Sequence, residues 1–149
     1  MKMGEDEMTR RLVRAMQLPV FKILGHASGR LLGEREPYAV RMEEVLDALA
    51  GARGAVEVNG DPHRLDLEPR WLRRAKAKGI PVVLTTDAHA IEAMGQLRWA
   101  VLTARRGWVT KGEVLNALPA AEFERLARTV VAPRELPVVF TSRTERPER

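Results

Sequence analysis

Three short apolar runs punctuate the chain, Val20-Phe21-Lys22-Ile23-Leu24, Ala55-Val56-Glu57-Val58-Asn59 and Pro81-Val82-Val83-Leu84-Thr85, and the segments between them are each long enough to hold a helix. Connections of that length join parallel strands, because antiparallel neighbours close with a turn of a few residues. The intervening segments carry the helical period. Met8, Leu12, Val13 and Met16 share a face in 5–16, Val45, Leu46 and Leu49 share one in 41–52, and 68–78 opens on Pro69 and is closed by Gly79. Further helices are expected over 91–103, 111–117 and 120–128. The pattern predicts an α/β fold with about three parallel strands and five to six helices. Parallel sheets need cover on both faces, and three strands leave an open edge, so this layout is expected of a slice of a larger barrel or sheet.

One compact domain is expected over 1–128, the stretch 27–38 being a loop rich in Gly, Ser and Pro. From 129 to 149 Val130-Val131 and Val138-Val139-Phe140 stand among prolines and a polar end, which reads as a loosely attached tail. No internal repeat occurs. The chain has no cysteine, so disulfides and thiolate zinc sites are excluded, and a metal would be held by His, Asp, Glu or water. No apolar stretch has signal-peptide or membrane-spanning length, and a cytoplasmic location is expected. Lys and Arg number 25 against 20 Asp and Glu, a net charge of +5, but both signs are interspersed. A polyanionic partner is allowed by that charge and not identified by it.

The residues able to carry chemistry cluster at the carboxyl ends of the expected strands, where α/β barrels assemble their sites from several loops. The first strand ends in Gly25-His26, the second in Glu57-Val58-Asn59 and the third in Thr86-Asp87-Ala88-His89. In an extended chain Asp87 and His89 point to one side, and His26 could supply a third donor from a nearby strand. Imidazole with carboxylate suits Zn²⁺, Mn²⁺ or Fe. Equally, Asp87 reads as the cap of the following helix and His26 as a satisfied polar residue. Glu57 and Asn59 share a face and are candidates to orient a metal-bound water or imidazole from outside the ligand shell. His63 lies in a turn and is expected to be solvent-exposed. Arg30, Arg64, Arg105 and Arg106 are candidate phosphate contacts, each with a structural ion pair as the plainer reading. Trp71, Trp99 and Trp108 are expected to pack, base stacking being the less common use of such residues. No phosphate-cradling glycine loop or serine nucleophile elbow occurs.

Two long runs, Met8-Thr9-Arg10-Arg11-Leu12-Val13-Arg14-Ala15-Met16 and Ile23-Leu24-Gly25-His26-Ala27-Ser28-Gly29-Arg30-Leu31-Leu32-Gly33, closely resemble the PHP domain of bacterial family X DNA polymerases. The resemblance continues through Val56-Glu57-Val58-Asn59, Pro62-His63-Arg64-Leu65-Asp66-Leu67, Thr86-Asp87-Ala88-His89 and Thr103-Ala104-Arg105-Arg106-Gly107-Trp108, covering about residues 5 to 128. It implies a distorted, TIM-like β/α barrel with a cluster of metal ions at its mouth. It also implies hydrolysis of phosphoesters, including removal of nucleotides from a DNA 3′ end, commonly with Mn²⁺. The matching metal ligands are His26, Asp87 and His89.

The early H-x-H motif of that family, its intervening Glu and a further His precede the matched region and have no counterpart here. The polymerase part has none either. The expectation is therefore the carboxy-terminal part of a metal-dependent phosphoesterase or 3′-5′ exonuclease module, with an incomplete Mn or Zn site and impaired activity alone. A second chain completing the barrel is an expected partner, beside a DNA 3′ end or a small phosphate ester. Two other readings stand beside it: a stand-alone phosphatase of the histidinol-phosphatase kind, and an inert remnant serving as a DNA- or protein-interaction module.

Overall fold

The structure is a computed structural model and describes residues 3–128; the expected tail at 129–149 lies outside the described residues. In chain order the elements are α1 (Glu5–Met16), β1 (Lys22–Leu24), α2 (Met42–Ala50), β2 (Gly54–Asn59), α3 (Pro69–Ala77), β3 (Val82–Thr85), α4 (Leu97–Arg106) and α5 (Ala120–Arg128). Short 3₁₀ turns at Ile91–Gln96, Lys111–Glu113 and Leu115–Ala117 flank α4 and lead into α5.

The strands pair in sequence order, β1-β2-β3, and both pairings are parallel. Leu24 lies beside Val56 and Val56 beside Val82, so these residues share a face. Together with Val58 that face packs on Leu46 and Leu49 of α2, Leu72 of α3 and Ala100 and Ala104 of α4, forming the main core, to which Met16 of α1 also contributes. The opposite face is thinly covered. Ala55 and Val83 meet Leu115, and Phe21, Leu118, Phe123 and Leu126 close around them, Phe21 and Phe123 edge to face at 6.1 Å between ring centres. Ile23 on that same face is left 42% exposed.

The described residues form an open sheet, not a closed barrel, and the two edges are treated differently. Asn116 covers β3 with its carboxamide, accepting from the Leu84 N–H at 3.0 Å and donating to the Leu84 carbonyl at 2.8 Å, while Val114 bridges to Val82. Such an amide satisfies the two main-chain groups that another strand would have taken. Among the described residues no strand pairs with the outer edge of β1.

Two expected helices changed form. The segment expected as a helix over 111–117 becomes two 3₁₀ turns, because Val114 is extended to reach Val82. The one expected over 91–103 starts as a 3₁₀ turn and becomes α-helical only from Leu97 to Arg106. Gly95 lowers helix propensity in that first stretch, and no side chain of Ile91–Gln96 is buried to repay an α-helical geometry.

Candidate strand-end site

Parallel strands place all three carboxyl ends on one rim, and a single carboxylate joins them. Glu57, on the central strand and only 9% exposed, accepts from the Thr85 hydroxyl at 2.6 Å and from the His26 main-chain N–H, and Asn59 Nδ2 lies 3.4 Å from the same Oε2. Asn59 is wholly buried, and its Oδ1 accepts from the Asp61 N–H at 2.9 Å, setting the turn that leaves β2. Glu57, Asn59 and Thr85 lie on the thinly covered face, since Glu57 is level with Val83 and Asn59 with Thr85. Alternation in the sequence picked out Glu57 and Asn59. Thr85 was passed over, although it lies on the face and level where a partner for Glu57 was needed.

A second carboxylate fastens the loop after β1 to the loop after β2. Asp66 is fully buried, and its Oδ2 accepts from both the N–H (2.9 Å) and the hydroxyl (2.8 Å) of Ser28. Burial pushes the Asp66 carboxyl upward, and this outweighs the opposing pull of Ser28 and Arg30. Its other oxygen, Oδ1, has no hydrogen-bond partner among the described residues. Arg30 completes the clasp, donating from Nε to the Arg64 carbonyl at 2.8 Å, from Nη2 to the Leu65 carbonyl and from Nη1 to Glu68 at 2.6 Å. Gly29 stands where the ring of Tyr38 crosses the loop. An added Cβ would lie 2.0 Å from Tyr38 Cζ, and the residue has φ +63°. Neither Asp66 nor Ser28 was singled out in the sequence; the signal was a carboxylate held between Leu65 and Leu67, an unusual setting for an exposed turn.

The three imidazole and carboxylate donors sit around this frame. His26 and Asp87 both have left-handed backbones, φ 29° and 53°, a region that Asp and His enter more readily than most residues and that is costly enough to mark functional positions. The consequence for Asp87 is specific. Its chain is not extended there, so the period of two does not align it with His89, whose Nδ1 instead lies 2.6 Å from the Asp87 carbonyl. Asp87 Oδ2 accepts from Arg64 Nε at 2.9 Å, with both side chains largely shielded from solvent. His26 and His89 are exposed. Among the described residues no three His, Asp or Glu side chains group closely enough to hold a metal ion. The donors present therefore do not make a cation site by themselves.

The arginines divide by place. Arg30 is committed to the clasp, while Arg64 holds Asp87 through Nε and has its Nη nitrogens without a partner among the described residues, free to meet an anion at the rim. Arg105 and Arg106, in the last turn of α4, lie toward the other end of the sheet, since α4 follows β3 and runs back alongside it. His63 is 70% exposed in its side chain and turned onto Asp61, its N–H and Nδ1 lying 2.9 and 3.0 Å from Oδ1. Although partial burial draws the Asp61 carboxyl up, those His63 contacts and the Arg64 charge leave it below its ordinary value.

No protein-family model matches the chain. It is related in sequence to the DNA polymerase/3′-5′ exonuclease PolX of Bacillus subtilis (strain 168), being 33% identical over 120 residues. The match takes in 80% of this chain and 21% of that protein, so the chain spans about a fifth of the relative's length. Among the described residues no helix is long and apolar enough to cross a membrane.

Proposed function

We propose that this chain is part of a phosphoesterase or 3′-5′ exonuclease module of the PHP kind, and that its strand-end rim receives the phosphate of a DNA 3′ end. The observation that carries the reading is the Glu57 clamp, which links three successive strand ends through buried and partly buried polar bonds, and the sequence kinship to a DNA polymerase/3′-5′ exonuclease supports it. A carboxylate buried without a cationic partner is costly, and such groups persist where they position others. The sheet is read as a segment of a β/α barrel. Helices cover one face, and the other bears Glu57, Asn59 and Thr85 at its carboxyl end, as the interior of a barrel mouth would.

In this reading His26, Asp87 and His89 are donors toward a divalent Mn or Zn ion, and further ligands come from outside the described residues. Glu57 and Asn59 fix the backbone beneath them, and the free nitrogens of Arg64 bind phosphate. Mn²⁺ electron paramagnetic resonance on the full chain tests it. A weak, partial loss of the free-ion signal, strengthened by a nucleoside 5′-phosphate and abolished by Asp87→Ala with His89→Ala, is the expected result. A free-ion signal unaltered by the wild-type chain would overturn it. The Arg64–Asp87 ion pair favours a second reading, an interaction module without chemistry, because it engages the one carboxylate in the donor set. Under that reading Arg64→Ala leaves Mn²⁺ binding absent, whereas a donor site should bind Mn²⁺ more readily once Asp87 is released.

A further inference from the structure

Trp108 is the most exposed of the large apolar side chains near the carboxyl end of α4, with 70% of its surface in solvent, and neighbouring cations engage both its main chain and its ring. Its backbone is left-handed, φ 62°, and its carbonyl accepts from Lys76 Nζ at 2.7 Å. The Arg73 guanidinium lies over the indole at 5.1 Å from the ring centre and donates through Nη1 to the Arg106 carbonyl at 3.0 Å. The approach of α3 that brings these cations in depends on Gly107. A Cβ there would lie 2.6 Å from Leu72 Cβ, so only glycine lets the two helices close.

The surroundings are cationic. Arg105, Arg106 and Lys111, close to Trp108 in sequence, are exposed, and among the described residues no carboxylate pairs with Arg73, Arg105 or Arg106. Glu113, the acidic group at hand, already takes the Lys76 ammonium at 3.1 Å and the Thr110 N–H and hydroxyl at 2.7 and 2.8 Å. An indole with a cation over one face and most of its surface in solvent is a stacking platform for a planar group. Unpaired arginines around it supply the phosphate contacts.

We propose that the Trp108 platform, with Arg73, Arg105 and Arg106, binds unpaired bases and phosphates of single-stranded DNA. The patch lies at the end of the sheet away from the strand-end rim, because α3 and α4 both run back from that rim to their carboxyl ends. It is thus a holding surface for strand remote from the rim, and it rests on the proposed function only in the choice of DNA over RNA. A protein partner fits less well. Its docking face needs apolar surface around the anchor, and here the anchor is ringed by charge.

The test is fluorescence anisotropy of a labelled oligothymidylate with the full chain in EDTA, which silences any metal-dependent binding at the rim. Trp108→Ala should weaken binding about tenfold, with Trp108→Phe recovering part of the loss. Arg105→Ala with Arg106→Ala should lower the slope of log affinity against log salt by about 1.4. Circular dichroism should show every variant folded. Binding by Trp108→Ala equal to wild type would overturn the proposal, as would preference for oligouridylate. So would absent DNA binding with self-association that Trp108→Ala abolishes. Each of these leaves the Mn²⁺ result at the strand ends untouched.

Discussion

Replacing Glu57 separates its role as an acceptor from its charge. In Glu57→Ala the His26 N–H and the Thr85 hydroxyl both lose their acceptor, and Asn59 Nδ2 loses its weaker contact. Hydrogen bonds to a charged group contribute about 1.5–3 kcal/mol each. The two main donors are only partly buried, so water replaces some of what is lost, and the expected loss of stability is about 2–4 kcal/mol. Glu57→Gln behaves differently. Its carboxamide oxygen can take the Oε2 position and accept from His26, while its NH₂ donates to a Thr85 hydroxyl that turns its proton away. That variant should lose about 1 kcal/mol or less. Urea denaturation followed by circular dichroism measures both, with an unchanged slope as the sign of an intact two-state transition. Glu57→Ala within about 0.5 kcal/mol of wild type, a change typical of an unremarkable surface site, would refute the clamp.

Asp66 should make stability depend on pH. Its folded carboxyl is raised above the ordinary 3.8 by burial, so the folded state keeps its proton to a higher pH than the unfolded chain does. Stability is then fully present below the unfolded value and declines as pH rises through the folded one, and Asp66→Asn should flatten that decline in melts taken across the acid range. Gly107→Ala should cost about 1–3 kcal/mol by driving α3 and α4 apart at Leu72, and the loss should be visible in chemical denaturation. Asn116→Ala removes two hydrogen bonds to Leu84, which should lower stability by about 1–2 kcal/mol and speed amide exchange of the Leu84 N–H.

Amphipathic spacing located α1 and α5 to the residue, since each presents one apolar stripe to its neighbours and nothing else competes for its backbone. It misjudged 111–117, where a distant strand edge competed for Val114 and won. The site divides along the same line. Glu57 and Asn59 were legible because strand alternation is a local rule, and His63 was legible as a turn residue. Ser28, Asp66 and Thr85 were not, because their meaning appears only when two loops remote in sequence come together. Arg30 resembled a phosphate contact, yet its guanidinium is shaped equally well for the carbonyls of Arg64 and Leu65. Extension of the third strand through Asp87 was the assumption that failed, because a left-handed residue there rotates the direction in which all that follows can point.

With three histidines in the chain, imidazole signals in nuclear magnetic resonance supply an internal comparison during a Mn²⁺ titration. His26 and His89 should broaden together and first, at low metal, while His63, turned onto Asp61 beside the rim, broadens only later. Broadening of all three in parallel, or of His63 first, would mean that the strand ends do not act as one assembled site.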